Sequence, residues 1–289
     1  MNFKSIFNLI GILLVVFSLS FLPPILITII FNESNYEAFF YPFLFLFFVG
    51  GIIWFFTKQK KLTLNISDGF VVTTLFWIVL AIAGSLPFNF FGLDIISALF
   101  ESVSGITTTG ATTIVGLDDM PKSILLYRQL LQWMGGMGLI ILAVAVMPAF
   151  GIGGGQLYKM ELPGSHVNQK LTPRIADSAK ALWKIYVGLT LACCILYLST
   201  GMGVFDAISH SLSTVAGGGF STHDENIGFF NNGFVETICI VFMLLSAASF
   251  AVHYSAIFGG KPLKYFYDSE FRFFLSVVFI ISTIVFIFL

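Results

Sequence analysis

The chain has 289 residues, of which 57% are hydrophobic and only 10% charged, with 35 phenylalanines and a formal net charge of −1. A soluble domain keeps about a quarter of its residues charged to hold a hydrated surface. So few charges cannot cover a globule of this length, which excludes an ordinary water-soluble domain and leaves the excess apolar surface to face lipid.

A hydrocarbon core of roughly 30 Å takes about 20 apolar residues as a helix. Seven stretches qualify: residues 6–31, 38–56, 69–86, 124–147, 175–198, 234–258 and 271–289. The first follows Lys4 in the manner of a signal peptide, but it is too long and lacks a small-residue cleavage site, so it reads as a retained helix. Pro23 and Pro24 should kink or break it.

After the third span, residues 92–113 are too polar to cross and predict a re-entrant segment: a helix of about ten residues, then Thr107, Thr108, Thr109, Gly110, Ala111 and Thr112. After the fifth span, residues 201–222 repeat the plan and end in Ala216, Gly217, Gly218, Gly219, Phe220 and Ser221. At an offset of 109 the two segments match at Gly92/Gly201, Ala98/Ala207, Ser102/Ser211, Ser104/Ser213, Gly110/Gly219 and Thr113/Thr222. Asp94 and Asp206 lie near the starts of the short helices, where a carboxylate can cap free N–H groups.

Alternating the spans from an inside N-terminus puts Lys4, Lys58, Lys60, Lys61, Lys159, Lys170, Arg174, Lys180, Lys184, Lys261, Lys264 and Arg272 on one side, 12 of the 14 basic residues. Only Lys122 and Arg128 fall opposite, so the first side is the cytoplasm. The outer side receives Glu33, Glu37, Asp94, Glu101, Asp118, Asp119, Asp206, Asp224, Glu225 and Glu236. This acidic excess either raises cation concentration at an outer mouth or reflects only the polarity that loops require. With this topology both re-entrant units enter from outside, making the repeats parallel, as around a pore, rather than inverted, as in a rocking carrier.

Non-helical backbone at membrane depth is tolerated only where protein or water surrounds it. Poor helix formers at that depth suit a passage lined with carbonyl oxygens that replace an ion's hydration shell. Gly110 and Gly219 supply backbone freedom, and the short helices direct their partly negative C-termini inward, favouring a cation. Glu101 is the best functional carboxylate outside the carbonyls, with a hydrogen-bonded structural acid behind the strand equally open.

Other residues suggest little chemistry. Cys193, Cys194 and Cys239 read as small hydrophobes. His166, His210, His223 and His253 lack zinc-site spacing; His223 is placed at the outer mouth and His253 as a bundle-facing polar contact. Gly151 to Gly155 has no preceding strand and reads as a helix exit rather than a phosphate loop. Gly135, Gly136 and Gly138 suit close helix packing.

Five stretches together resemble the Trk/Ktr/HKT superfamily of potassium-uptake proteins. Arg128-Gln-Leu-Leu-Gln-Trp-Met-Gly-Gly-Met-Gly138 is similar to the inner helix of the first repeat in Trk proteins. Gly151-Ile-Gly-Gly-Gly-Gln-Leu-Tyr158 and the run from Leu171 to Trp183 resemble the cytoplasmic connection after it, and the segments around Gly110 and Gly219 resemble the first two filter motifs. The resemblance implies an all-α integral membrane protein. Its tandem outer helix–pore loop–inner helix repeats form a potassium-channel-like pore behind two extra transmembrane helices. The expected division is 1–62 for the two accessory helices, 63–150 and 151–260 for two repeats, and 261–289 for the outer helix of a truncated third.

The implied function is potassium uptake through a filter of Thr107, Thr108, Thr109, Gly110, Ala216, Gly217, Gly218 and Gly219, with the ion held at Thr109, Gly110, Gly218 and Gly219. Glu101, Asp94 and Asp206 are the expected supporting residues. Gly217 stands where a bulkier residue is expected, which could loosen that strand. Only two of four filter segments are present, so the chain alone is expected not to conduct. The resemblance further implies a multi-pass protein of the bacterial inner membrane, a homodimer, and a cytoplasmic nucleotide-binding ring as partner. No cofactor beyond the transported ion and no nucleic acid is expected. The alternatives are a non-conducting membrane interaction subunit and a membrane-embedded enzyme; for the latter the sequence has no HExxH helix or paired acids at membrane depth.

Overall fold

The computed structural model describes residues 1–59, 66–146 and 175–288, and among them every regular element is helical. Lys60, Lys61, Lys159, Lys170, Arg174, His166, the Gly151 to Gly155 stretch and the expected boundaries at 62 and 150 lie outside the described residues. Five helical segments among the described residues are long and apolar enough to cross a membrane: Phe3–Ile30, Glu37–Thr57, Ser67–Phe91, Ala181–Ser199 and Ser269–Phe288.

The first of these comprises α1 (Phe3–Ser18), a 3-10 turn (Leu19–Phe21) and α2 (Leu22–Ile30). Pro23 and Pro24 occupy the first turn of α2, where missing N–H groups break no helical bond, so the chain bends there without a lost ladder. Helix α3 (Glu37–Thr57) returns alongside α1. The two cross backbone to backbone: a Cβ on Gly11 would stand 2.7 Å from the Trp54 nitrogen, and one on Gly50 2.8 Å from the Gly11 oxygen.

Two similar units follow. In the first, α4 (Ile66–Phe91) leads into the short α5 (Ile95–Ile106) and then α6 (Lys122–Val146). In the second, α7 (Ile175–Ser199) leads into the short α8 (Val204–Ala216) and then α9 (Gly233–Ser246). Beyond these lie α10 (Phe250–Ile257), α11 (Lys264–Tyr267) and α12 (Ser269–Phe288).

One predicted span is corrected. Residues 234–258 form two helices, with a break at 247–249 where Ser249 takes an extended conformation (φ −62°, ψ 142°). The His253 ring reaches back across the break to the Leu245 carbonyl (2.9 Å) and also bonds Tyr265 Oη (2.7 Å). The Leu245 carbonyl thus accepts from this side chain as well as from the Ala248 N–H (3.0 Å) that tightens the last turn.

Helix α6 is the wall between two apolar cores. Its Tyr127 and Leu131 belong to the core built with α1, α3 and α4, where Phe21, Phe39 and Phe88 surround the Tyr127 ring. Nearly two turns beyond Leu131, Met137 belongs to the core with Tyr186, Cys193, Tyr197 and Val235. The loop between α2 and α3 caps this wall, since Glu33 accepts from the N–H groups of Lys122 (2.6 Å) and Ser123 (3.3 Å).

Candidate functional site

Both short helices end the same way. At the first, the N–H of Thr108 donates to the Gly105 oxygen (3.0 Å) and that of Thr109 to the Ser104 oxygen (2.9 Å). At the second, Gly217 donates to Thr214 (3.1 Å) and Gly218 to Ser213 (3.0 Å). Every one of these positions is related by the 109-residue offset, so the repeat extends to individual hydrogen bonds.

The backbone follows suit. Thr108 (φ 54°) and its counterpart Gly217 (φ 66°) are both left-handed, as are Gly110 (φ 79°) and Gly219 (φ 83°). Gly217 therefore sits where a side chain is strained, and Thr108 is the member of the pair that bears that strain.

The two strands meet at Gly110 and Gly218. A Cβ on Gly110 would lie 2.0 Å from the Gly218 carbonyl oxygen. Gly218 has ordinary backbone angles but no room: its Cβ would stand 2.3–2.6 Å from all three amide atoms of Gln132. Thr107 and Thr109 face out of the packed chain with their hydroxyls 2.7 Å apart, and Ala216 closes α8. The Gly219 oxygen accepts from Asn226 Nδ2 (3.1 Å), which uses one of its two lone pairs.

Behind the strands runs a buried polar network. Glu101 Oε1 accepts from Thr112 Oγ1 (2.6 Å) and from the Thr113 N–H (2.6 Å), while Oε2 pairs with Arg128 Nε (3.3 Å). In the second repeat the position of Glu101 is taken by His210, whose Nε2 bonds Ser221 Oγ (2.9 Å), the counterpart of Thr112. Arg128 joins the halves, donating from Nη2 to Thr112 Oγ1 (3.0 Å) and from Nη1 to the Ser221 oxygen (3.2 Å). Its guanidinium carbon lies 4.3 Å from the centre of the Phe220 ring.

The sequence reading placed Arg128 among the outer charges. It is fully buried behind both strands, where Glu101, Thr112 and the Ser221 oxygen accept from its guanidinium.

The acidic residues are likewise bound. Asp94 caps α5 through the N–H groups of Ile96 (3.0 Å) and Ser97 (3.1 Å), and these hydrogen bonds, led by Ser97, hold its carboxyl below the usual range. Asp206 does not cap α8; it accepts from Thr222 Oγ1 (2.8 Å) at the end of the second strand. Asp224 crosses between repeats to take the N–H groups of Gly116 (3.1 Å) and Leu117 (3.0 Å). The Asp118 carboxyl is lowered by its hydrogen bond to His223, whose ring stacks on Phe229. With Glu33 and Glu101, six of the ten carboxylates assigned to the outer side hold polypeptide. Much of the excess thus has an architectural use.

The close packing expected of the α6 glycines is present. A Cβ on Gly135 would stand 2.0 Å from the Ile106 oxygen at the end of α5, and one on Gly136 3.3 Å from Ala216 at the end of α8. Both short helices rest on one turn of α6.

The profile of a family of cation transport proteins, TrkH, matches residues 35–289. The chain belongs to the TrkH family. The Trk system potassium uptake protein TrkH of Vibrio parahaemolyticus is 47% identical over 100% of this chain and 61% of its own length. TrkH of Escherichia coli K12 is 45% identical over 98% of this chain and 59% of its own. The crystal structure of the potassium transporter TrkH from Vibrio parahaemolyticus superposes with a TM-score of 0.82 at 46% identity, covering 95% of this chain and 56% of that one. The chain therefore spans about three-fifths of the length of these TrkH relatives.

Sequence reasoning missed His210, Arg128 and Gln132. The first was within reach, since the 109-residue offset that pairs Gly110 with Gly219 also pairs Glu101 with His210. For Arg128 the signal was an arginine five residues into the predicted span at 124–147.

Proposed function

We propose that this chain supplies two adjacent filter strands of a potassium-uptake pore, with the ion met by backbone oxygens around Thr109, Gly110, Gly218 and Gly219. The observation that carries this reading is the duplication itself. Two short helices with identical capping bonds deliver two strands of left-handed glycines to one contact at Gly110 and Gly218. Carbonyls in such strands replace water around a cation, and the helix C-termini add negative potential where the strands begin. The names of the TrkH relatives support potassium as the ion.

On this reading 63–150 and 151–260 are successive repeats, 1–62 an accessory hairpin and 261–289 the start of a third repeat. Assembly as a homodimer on a cytoplasmic nucleotide-binding ring belongs to the same proposal. The test is rubidium and sodium uptake in cells lacking their own potassium uptake, with the chain carried in its full reading frame. Rubidium uptake well above sodium is expected; none above background would refute the potassium reading.

The same reading puts the N-terminus in the cytoplasm. In a background with Cys193, Cys194 and Cys239 replaced, cysteines at Glu37 and Asp118 should react with an impermeant thiol reagent from outside, and one at Lys261 only from inside. Labelling of positions 37 and 261 from the same face would overturn that topology.

A further inference from the structure

A filter strand without a regular hydrogen-bond ladder must be held by something else. The second strand is held by groups of its own repeat, among them Asn226 on the Gly219 oxygen and His210 on the Ser221 hydroxyl, and also by two side chains of the first. The Phe220 N–H donates to Gln132 Oε1 (3.0 Å), and the Ser221 oxygen accepts from Arg128 Nη1 (3.2 Å). Both side chains are fully buried and stand one turn apart on α6, the inner helix of the first unit. The second unit's own α9 has Glu236 in its first turn as its one charged residue, and carries neither arginine nor glutamine. Helix α6 therefore serves both strands, the first through Thr112 and the second through Phe220 and Ser221.

From this geometry we propose that Gln132 and Arg128 are positioning residues that set the second filter strand from the first repeat, and that residue 218 is a glycine to admit the Gln132 amide. The two effects are linked by distance. Gln132 can reach the Phe220 N–H only by lying where a Cβ on residue 218 would stand, 2.3 Å from the Gln132 amide carbon. Arg128 adds three directed bonds, to Glu101, Thr112 and the Ser221 oxygen. A lysine would keep the charge against Glu101 but present a single point in place of a planar fork. The proposal rests on the potassium reading above for its transport readout, though not for its stability readout.

The experiment uses the full reading frame and measures the rubidium-to-sodium uptake ratio together with the melting temperature of the purified protein in detergent. Gly218→Ala should lower the ratio about tenfold or more, because a site loosened by around 1 Å loses its selectivity. Gln132→Ala should cost less, about threefold, through the unserved Phe220 N–H. The double variant Gly218→Ala/Gln132→Ala should return to the level of Gln132→Ala alone in both ratio and melting temperature. A double variant as poor as Gly218→Ala, or worse, would overturn the link between the two residues.

Arg128→Lys should insert normally and still lose discrimination; an unchanged ratio would reduce Arg128 to a counter-charge for Glu101. If the unmodified protein takes up no rubidium, the potassium reading fails by itself. Rescue of the Gly218→Ala melting temperature by Gln132→Ala would still decide the positioning role.

Discussion

Replacing Gly110 by serine should abolish discrimination between rubidium and sodium, with the protein still inserted in the membrane. Two penalties coincide at this residue. Its left-handed backbone (φ 79°) costs a side-chain-bearing residue roughly 1–2 kcal/mol. The new Cβ would also be driven to 2.0 Å from the Gly218 oxygen, a distance at which backbone must move. Gly219 shares the left-handed backbone but faces open space, so Gly219→Ser should retain part of the discrimination. Thr113→Ala should cost less again, because its shorter bond to Glu101 comes from the backbone N–H (2.6 Å) and its hydroxyl contact is long (3.3 Å). Uptake ratios for the three variants, at matched membrane amounts, check the order. Equal losses at 110 and 219 would mean that the contact between strands is not what makes Gly110 sensitive.

Glu101→Ala is expected to be the most destabilising single change at the site. The carboxylate is buried, accepts from Thr112 and Thr113, and balances Arg128. Removing one partner of a buried ion pair leaves the other charge uncompensated and costs about 3–5 kcal/mol. That is a large share of the roughly 5–15 kcal/mol by which folded proteins typically exceed their unfolded states. The amount of full-length protein in the membrane and its melting temperature in detergent should both fall sharply. Glu101→Gln, which keeps an oxygen for Thr112 and Thr113, should lie between. Parent-like melting for Glu101→Ala would show that the network behind the first strand does not hold the fold.

The parts of this fold that depend on composition and length were legible in the sequence. Long apolar runs give the long helices, adjacent prolines fall in the first turn of α2, and the polar segments at 92–113 and 201–222 each give a short helix followed by irregular chain. The left-handed turns at Gly110 and Gly219 were legible for the same reason, since glycine is the residue that such a backbone favours. What sequence could not give was set by partners distant along the chain. Arg128 meets Ser221 across 93 residues and Gln132 meets Phe220 across 88. The break at 247–249 has no proline or glycine to announce it, only Ser246 and Ser249 within a long apolar stretch. His210 escaped because identity matching aligns like with like, whereas Glu101 and His210 do one job with different chemistry.

The cross-braced arginine also imposes an order on biogenesis. Glu101, Thr112 and Arg128 leave the ribosome close together, so the charge on α6 can be neutralised while that helix enters the membrane. Its last acceptor, on Ser221, is made 93 residues later, a wait of roughly five to twenty seconds at typical translation speeds. During that interval the Ser221 acceptor for Arg128 and the Phe220 N–H for Gln132 do not yet exist. The two repeats, alike as they are, are thus unequal in the order of synthesis: the braces of α6 are made before the Phe220 and Ser221 groups that they meet.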